Sequence, residues 1–205
     1  MATKPKKRAE PKPYPKPYHH GDLRRALLDA AIASIIEEGS ASFSLRDLAR
    51  RIGVSHAAPA HHFGDKAGLL TALAVEGYEL LADAQATVWE ETGDFLEVGV
   101  AYVRFAVEHP AHFEVMYRPE LLRTDDPDLV AAHQRSRDFL YGPAGTLVKR
   151  DALGAGIAGW SMAHGIVSLW ANGNLPDDLG GPEEIMRMAG RHLFSAPGRS
   201  AGRRR

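Results

Sequence analysis

The side chains best suited to chemistry in this sequence are its ten histidines, because the chain contains no cysteine. The lack of thiols excludes disulfide bonds, thiolate metal sites and cysteine nucleophiles, and it fits a reducing cytoplasm. His61 and His62 would point about 100° apart on a helix, and together with His56 they have no carboxylate at ligand spacing. His109 and His112 could share a helix face, but no further ligands are evident, so capping or packing is their expected role. We therefore expect no metal and no cofactor.

No motif in the chain is typical of an enzyme. The sequence has no glycine-rich phosphate loop, no serine nucleophile elbow and no metal-hydrolase helix. An enzyme would have to rely on scattered His, Asp and Glu residues, so we expect no catalytic residues. With catalysis set aside, the function expected of this chain is to bind a partner molecule.

The cationic side chains are concentrated at one end of the chain. Residues 1–66 hold twelve Lys and Arg against seven Asp and Glu, although the whole chain has a net charge of −1. A basic segment on an acidic body is expected where one end of a protein meets a polyanion. An ordinary solvated surface explains the charge alone equally well, so the local pattern must decide between the two.

That local pattern indicates short helices. Helical periodicity starts at Asp22, and a first helix is expected to end at Gly39. Ser44 can cap a second helix that begins near Leu45, with Asp47 placed three residues after the cap. The apolar face of this second helix consists of Leu45, Leu48, Ala49 and Ile52, which leaves Arg46, Arg50 and Arg51 for solvent or phosphate.

A third helix is expected after a tight turn at Gly53. Ser55 supplies a second cap position, and the segment runs to Phe63. Two short helices joined by a glycine turn, behind a longer one, are typical of a helix-turn-helix, whose second short helix can enter the major groove of DNA. Many helical hairpins share this pattern, so by itself it is only moderately specific.

The rest of the chain is also expected to be helical. A long helix is predicted over 66–88, and no alternating strand pattern is present, so the expected fold class is all-α. No apolar run is expected to approach the roughly 18 residues of a membrane span, so we expect no membrane association and a cytoplasmic location. The further helices are predicted over 94–108, 110–117, 127–140, 151–172 and 183–194.

Three segments carry a family resemblance: Phe43-Ser44-Leu45-Arg46-Asp47-Leu48-Ala49-Arg50, Gly53-Val54-Ser55 and His62-Phe63-Gly64-Asp65-Lys66. They resemble the DNA-binding signature of TetR/AcrR regulators. Residues 18–23 and 160–165 are similar to the subgroup whose C-terminal domain carries a Trp, His and Gly signature. The resemblance implies an all-helical homodimer that binds double-stranded DNA with its first three helices. It also implies that the fourth helix is a linker and that the last two long helices form a four-helix dimer bundle.

The resemblance also assigns roles in DNA binding. Ser44, Arg46 and Lys66 match positions that usually touch phosphates. Two departures affect the third helix. The tyrosine common two residues before the His-Phe pair is Ala60 here, and Pro59 is expected to start this helix late or bend it. The positions expected near base edges or neighbouring phosphates are Ser55, His56, Ala57, His61 and His62.

The expected domains follow the same division. Residues 1–18 carry five prolines among their lysines, and residues 196–205 are rich in Gly, Ser and Arg, so both segments are expected to be disordered. Residues 19–66 form the expected helix-turn-helix domain. Residues 67–195 form the expected ligand-binding and dimerisation domain.

Aromatic side chains in this second domain could line a cavity for a partly apolar small molecule. Their spacing also suits a packed core, and several nearby glycines favour close helix packing, which we prefer as the interpretation. The hypothesis is a ligand-responsive repressor that binds an inverted-repeat operator as a homodimer. The alternative is a constitutive or architectural DNA-binding protein without an effector. The candidate ligand residues are Tyr102, Phe105, Phe113, Met116, Tyr117, Trp160 and His164.

Overall fold

The structure is a computed structural model that describes residues 20–147 and 151–194. Every regular element in those two ranges is helical, which confirms the expected all-α fold. The predicted disordered arm and tail lie outside the described residues. The helices are α1 (His20–Glu38), α2 (Leu45–Arg51), α3 (Ala58–Phe63), α4 (Lys66–Thr92), α5 (Phe95–Glu108), α6 (Pro110–Met116), α7 (Pro127–Tyr141), α8 (Ala144–Leu147), α9 (Ala152–Ala171) and α10 (Pro182–Phe194).

Helices α1 to α3 form a small domain, the head. Ser44 begins α2 as predicted: its Oγ accepts a hydrogen bond from the backbone N–H of Asp47 at 3.2 Å and donates one to the Asp47 carboxylate at 2.5 Å. Gly39 ends α1 with a φ of +82°, a conformation that favours glycine. The apolar faces of the three helices meet in a core of Leu27, Leu28, Ala31, Ile35, Phe43, Leu48 and Phe63.

The third helix starts late, as Pro59 predicts. It begins at Ala58 rather than at a Ser55 cap, and its N-cap residue, Ala57, makes no side-chain capping bond. The reason is Pro59, which lacks an N–H and fits only the first turn of a helix. Starting at Ala58 places the proline at the second helical position, where no intrahelical bond is lost.

Helix α4 connects the head to the rest of the chain. Asp65 caps its start by accepting from the backbone N–H of Gly68 at 2.8 Å, and Gly93 ends it in the left-handed conformation at a φ of +60°. Its 27 residues span about 40 Å. The helix ends at Thr92 rather than at the predicted residue 88, because nothing before Gly93 interrupts the helical pattern.

Helices α4 to α10 form a second unit, the body. Helix α5 lies at its centre, packed on α4, α6, α9 and α10, and buries Val100 and Val103 completely. Asp94, Asp126 and Asp151 cap α5, α7 and α9 through backbone N–H groups. The predicted helices of the body are confirmed to within a few residues. The one-turn helix α8 and the 3-10 turns at Pro119–Leu121 and Asp177–Leu179 were not predicted, since each is too short to show periodicity.

Candidate nucleic-acid interface and internal cavity

The arginines of α2 differ in what they contact. Arg51 forms a double hydrogen bond with Glu37 of α1 at 2.6 and 2.7 Å, and Arg50 pairs with Asp47 at 2.6 Å. Arg46 is exposed and takes part in none of the ion pairs among the described residues. Of the three guanidinium groups expected to be available for phosphate, therefore, Arg46 is the one that no carboxylate already engages.

The reading face of α3 and the turn before it is open. Ser55, His56, Ala57, Ala60 and His61 are exposed, whereas His62 is half-buried. Pro59 is buried and packs this segment against the head. Four of the five residues expected near base edges, all but His62, are thus exposed on this face, and Ala60 is exposed where the common tyrosine would stand.

Lys66, which was expected to touch a phosphate, is half-buried, and its ammonium group bonds the backbone of the head. Its Nζ donates to the carbonyl oxygens of Ala41 and Phe43 at 2.9 and 2.8 Å and lies 4.4 Å from the centre of the Phe43 ring. Burial lowers the pKa of Lys66. In this arrangement Lys66 ties the start of α4 to the loop between α1 and α2.

Several further polar links join the head to the body. Arg25 of α1 pairs with Glu76 of α4 at 2.6 Å, and the same carboxylate lies 3.2 Å from Nε2 of His112 on α6. Other links come from α6 and from the segment that follows it. Glu114 accepts from the backbone N–H of Ser40 at 2.9 Å, and Arg123 pairs with Asp65 at 3.0 Å.

We expect the free energy of unfolding to decrease as the pH falls from about 7 to about 5. Burial is the main cause that lowers the pKa of His112, with His109 and Arg25 acting in the same direction and Glu76 opposing them. The folded state keeps the imidazole neutral, while the unfolded chain takes up a proton below about pH 6.5. Acid therefore favours unfolding.

The measurement is the thermal midpoint of the wild type and of a His112→Gln variant across this pH range. Burial also lowers the pKa of His133 and His164, so part of the pH dependence must remain in the variant. The variant should nevertheless show the shallower loss. An equal slope in the two proteins would contradict the assignment.

The body contains a cavity of about 260 Å³ between α4, α5, α7, α9 and α10. Aromatic rings form much of its wall, and Arg137 is the only lining side chain that carries a charge at every ordinary pH. The exposed side chains of Arg137 and Trp160 mark where the cavity reaches the surface. The lining residues are Tyr78, Gln85, Phe95, Val98, Gly99, Tyr102, Tyr117, His133, Ser136, Arg137, Phe139, Tyr141, Gly159, Trp160, Ala163 and Met186.

A hydrogen-bonded group of rings forms one part of the cavity wall. The Tyr102 hydroxyl lies 2.9 Å from the Tyr117 hydroxyl and 2.9 Å from Nδ1 of His164, and it accepts from Nε1 of Trp160 at 3.2 Å. Burial raises the pKa of Tyr102 and Tyr117 and lowers that of His164, so the group is neutral. To a ligand, this part of the wall therefore presents aromatic rings that carry no charge.

Three of the seven sequence-predicted ligand residues, Tyr102, Tyr117 and Trp160, line the cavity. The other four require correction. Phe105 and Met116 are buried in the core, and Phe113 and His164 stand behind the wall in contact with Tyr102. The prediction missed the α7 residues of the lining and Gln85 of α4, because only the packing of α7 on α4 brings them together.

An apolar surface covers the outer side of α9 and α10. We call it the α9–α10 face; its large side chains are Leu153, Ile157, Trp160, Leu169, Trp170 and Met188, all exposed. Small residues, including Ala158, Ser161 and Gly165, lie between them. Helix α9 is nevertheless apolar enough, by length and composition, to cross a membrane, which corrects the expectation that no apolar run approaches the length of a span. Only 28% of its most apolar window is buried, so within the described part of the protomer much of this surface is uncovered.

These features of the head and the body define a class of protein. A helix-turn-helix head with an open reading face, carried by a long helix on a helical body with a cavity, is the architecture of a DNA-binding transcription regulator. Residues 27–73 match the family described as bacterial regulatory proteins, tetR family, and residues 95–193 match the tetracyclin repressor-like C-terminal domain. The chain belongs to the TetR family of bacterial regulatory proteins.

Known structures share the whole architecture. A protein of unknown function from Rhodococcus sp. RHA1 is 33% identical, with a TM-score of 0.75 over 88% of this chain and 97% of that one. The TetR family transcriptional regulator PfmR from Thermus thermophilus shares the fold at 23% identity, with a TM-score of 0.64 over 82% of this chain and 96% of PfmR.

The HTH-type transcriptional regulator YobS of Bacillus subtilis is 32% identical over 97 residues, which are 46% of this chain and 51% of YobS. The chain therefore spans about half the length of that relative.

Proposed function

We propose that this TetR family regulator is a ligand-responsive repressor that binds an inverted-repeat operator as a homodimer. The observation that carries the proposal is the combination, in one chain, of an open reading face on α3 and a cavity in the body, joined by α4. A protein that only bound DNA would not need the cavity. A constitutive DNA-binding protein would be favoured if the cavity stayed empty with every small molecule tested.

The proposed contacts with DNA are made by exposed side chains of the head. Arg46 supplies a guanidinium for phosphate, while Ser55, His56, Ala57 and His61 face the groove. Ser44 and Lys66 are already engaged in capping and in holding a loop. We propose that these two shape the head, and that any phosphate contact they make comes in addition.

The proposed dimer interface is the α9–α10 face. Exposed apolar patches of this kind mark interfaces, and small residues on a helix let a second helix approach closely. A second copy of α9 and α10 would give the four-helix bundle that the family resemblance implies. This is also why we propose that the apolar surface of α9 packs against protein rather than lipid.

The proposed coupling runs through α6. Phe113 packs on Tyr117 and on His164 of the cavity group, with ring centres 5.0 and 5.3 Å apart. On the same seven-residue helix, Glu114 accepts from the backbone of Ser40 in the head, and His112 lies 3.2 Å from the Glu76 carboxylate that pairs with Arg25 of the head. A ligand that moved this helix would move the head, but only to the extent that its affinity differs between the two arrangements.

Arg46→Ala is expected to weaken binding to operator and random DNA alike, and to reduce the slope of log affinity against log salt by about one per subunit. Because a phosphate contact carries no sequence information, the ratio between the two DNAs should stay the same. The operator is first identified by selecting genomic fragments bound by the purified protein. Affinity for operator and random DNA is then measured at several salt concentrations.

Arg50→Ala is the matched control, because it removes the same charge from the same helix but from a guanidinium already paired with Asp47. It should reduce the salt slope by less than Arg46→Ala does. If Arg46→Ala relaxed sequence preference and left the salt slope unchanged, Arg46 would be a base contact and the proposed role would be wrong. A recovered site without two-fold symmetry would contradict the dimer.

A further inference from the structure

Gln85 is the polar residue of the cavity that the fold leaves unsatisfied. It lies on α4, it is 6% exposed and it lines the cavity. Its Oε1 is buried and has no hydrogen-bond partner among the described residues. Burying a polar atom without a partner is unfavourable, so such atoms are rare unless something else satisfies them.

The position of Gln85 in the cavity makes a ligand the natural partner. Tyr78 and Gln85 both line the cavity from α4, and they are seven residues apart, which is two helical turns or about 10 Å. A molecule that reaches Gln85 therefore also lies along the aromatic part of the wall. The last torsion of a glutamine side chain is broad, so the amide can turn its oxygen towards such a molecule at little cost.

The charges of the lining residues further restrict which ligands the cavity can bind. None of the described lining residues is Asp or Glu, and Arg137 stands at the mouth without an ion pair to any described residue. Arg137 is instead held against Tyr141, with its guanidinium carbon 5.6 Å from the ring centre. A cation entering this cavity would meet Arg137 and find no counter-charge, whereas a neutral or anionic molecule would meet no repulsion.

We propose that the cavity binds a small, planar, apolar compound that carries a hydrogen-bond donor and no positive charge, and that Gln85 Oε1 accepts from that donor. The flat rings of the wall favour a flat ligand. The volume of about 260 Å³ is close to the lower end of the range for ligand pockets, so the compound is small. This inference deepens the proposed function, because it states which ligand the proposed sensor takes.

The test uses matched probes on the full-length protein without DNA. Ligand-detected NMR and calorimetry would measure the binding of para-hydroxycinnamate, of its methyl ester, of para-methoxycinnamate and of tyramine. Para-hydroxycinnamate or its ester should bind, and the methoxy compound, which cannot donate, should bind about tenfold more weakly. Tyramine, which carries a positive charge, should bind more weakly than the neutral ester.

Gln85→Met separates the role of the amide from that of the cavity. Methionine has a similar length without hydrogen-bonding groups, so the difference between the hydroxy and methoxy probes should fall to about twofold or less. The thermal midpoint of the unliganded variant should rise, because the unsatisfied oxygen is gone. Gln134→Met, at an exposed site on α7 where the amide bonds Asp138, is the control and should change neither property.

Several results would overturn the proposal: no binding of either donor probe at millimolar concentration, equal binding of the hydroxy and methoxy probes, tightest binding of tyramine, or an unchanged preference in Gln85→Met. The comparison among probes on the wild type does not depend on the folding of a variant. The proposed regulatory function fails separately, if probes that bind as expected leave operator binding unaffected.

Discussion

Gly165→Glu is expected to convert the dimer into a folded monomer that no longer binds its operator specifically. Gly165 lies on the α9–α10 face between Ser161 and Leu169, one turn away on either side. A Cβ at this position would meet no atom within 4 Å in the protomer, so the substitution leaves the protomer fold intact. In the proposed bundle the same position faces a second helix, where a charged side chain would be buried without a partner.

The expected size of this effect is large because specificity depends on two heads reading two half-sites. Losing one head should reduce operator affinity by about a thousandfold, towards the level of non-specific binding. Sedimentation at micromolar concentration would measure the oligomeric state, and titration of operator DNA would measure the affinity. Gly181→Glu is the control, because a Cβ there also meets nothing within 4 Å. A dimer that survives Gly165→Glu would place the interface on another surface.

Gly68→Ala is expected to reduce the free energy of unfolding by about 3 kcal/mol and to weaken DNA binding more than the loss of stability explains. Gly68 is in the first turn of α4, where a Cβ would overlap the backbone carbonyl oxygen of Phe63, the last residue of α3. Backbone cannot move aside as a flexible side chain can. Helix α3 would therefore have to shift relative to α4, and with it the reading face.

Denaturant unfolding would measure the stability of Gly68→Ala, and DNA titration at a temperature where the variant is folded would measure its binding. The same substitution at Gly181, where a Cβ has free space, is the matched control and should change stability by less than about 1 kcal/mol. If Gly68→Ala had wild-type stability, the close approach of α3 and α4 would not be required for the fold.

The fold could be predicted wherever a helix start or stop is decided by local chemistry. Ser44 and Asp65 cap helices through their own side chains, and Gly39 supplies the left-handed conformation that ends α1. At the start of α3 two local rules disagree, so the sequence predicts a late start or a bend without deciding between them. Ser55 favours an earlier start, Pro59 fits only the first turn of a helix, and the helix begins at Ala58.

The candidate site was predictable only in part, for a different reason. Arg46 and the open residues before α3 follow from the order of the helices in the head, which the sequence pattern already contains. The cavity depends on contacts between distant helices. Gln85 and Arg137 are 52 positions apart in the chain and become neighbours in one wall only when α7 packs on α4. No periodicity within either helix indicates that these two side chains share a cavity.

Helices α6 and α7 contribute to different parts of the molecule, which bears on how such a protein could come to bind a different ligand. Helix α7 supplies five of the lining residues, His133, Ser136, Arg137, Phe139 and Tyr141. The polar links to the head come instead from α4, α6 and the segment before α7. Under the coupling proposed above, substitutions in α7 are expected to change which molecule the cavity binds and to leave the polar links to the head in place. That separation makes α7 the natural place to diversify when building a biosensor on this scaffold, and a route by which natural variants could acquire new inducers.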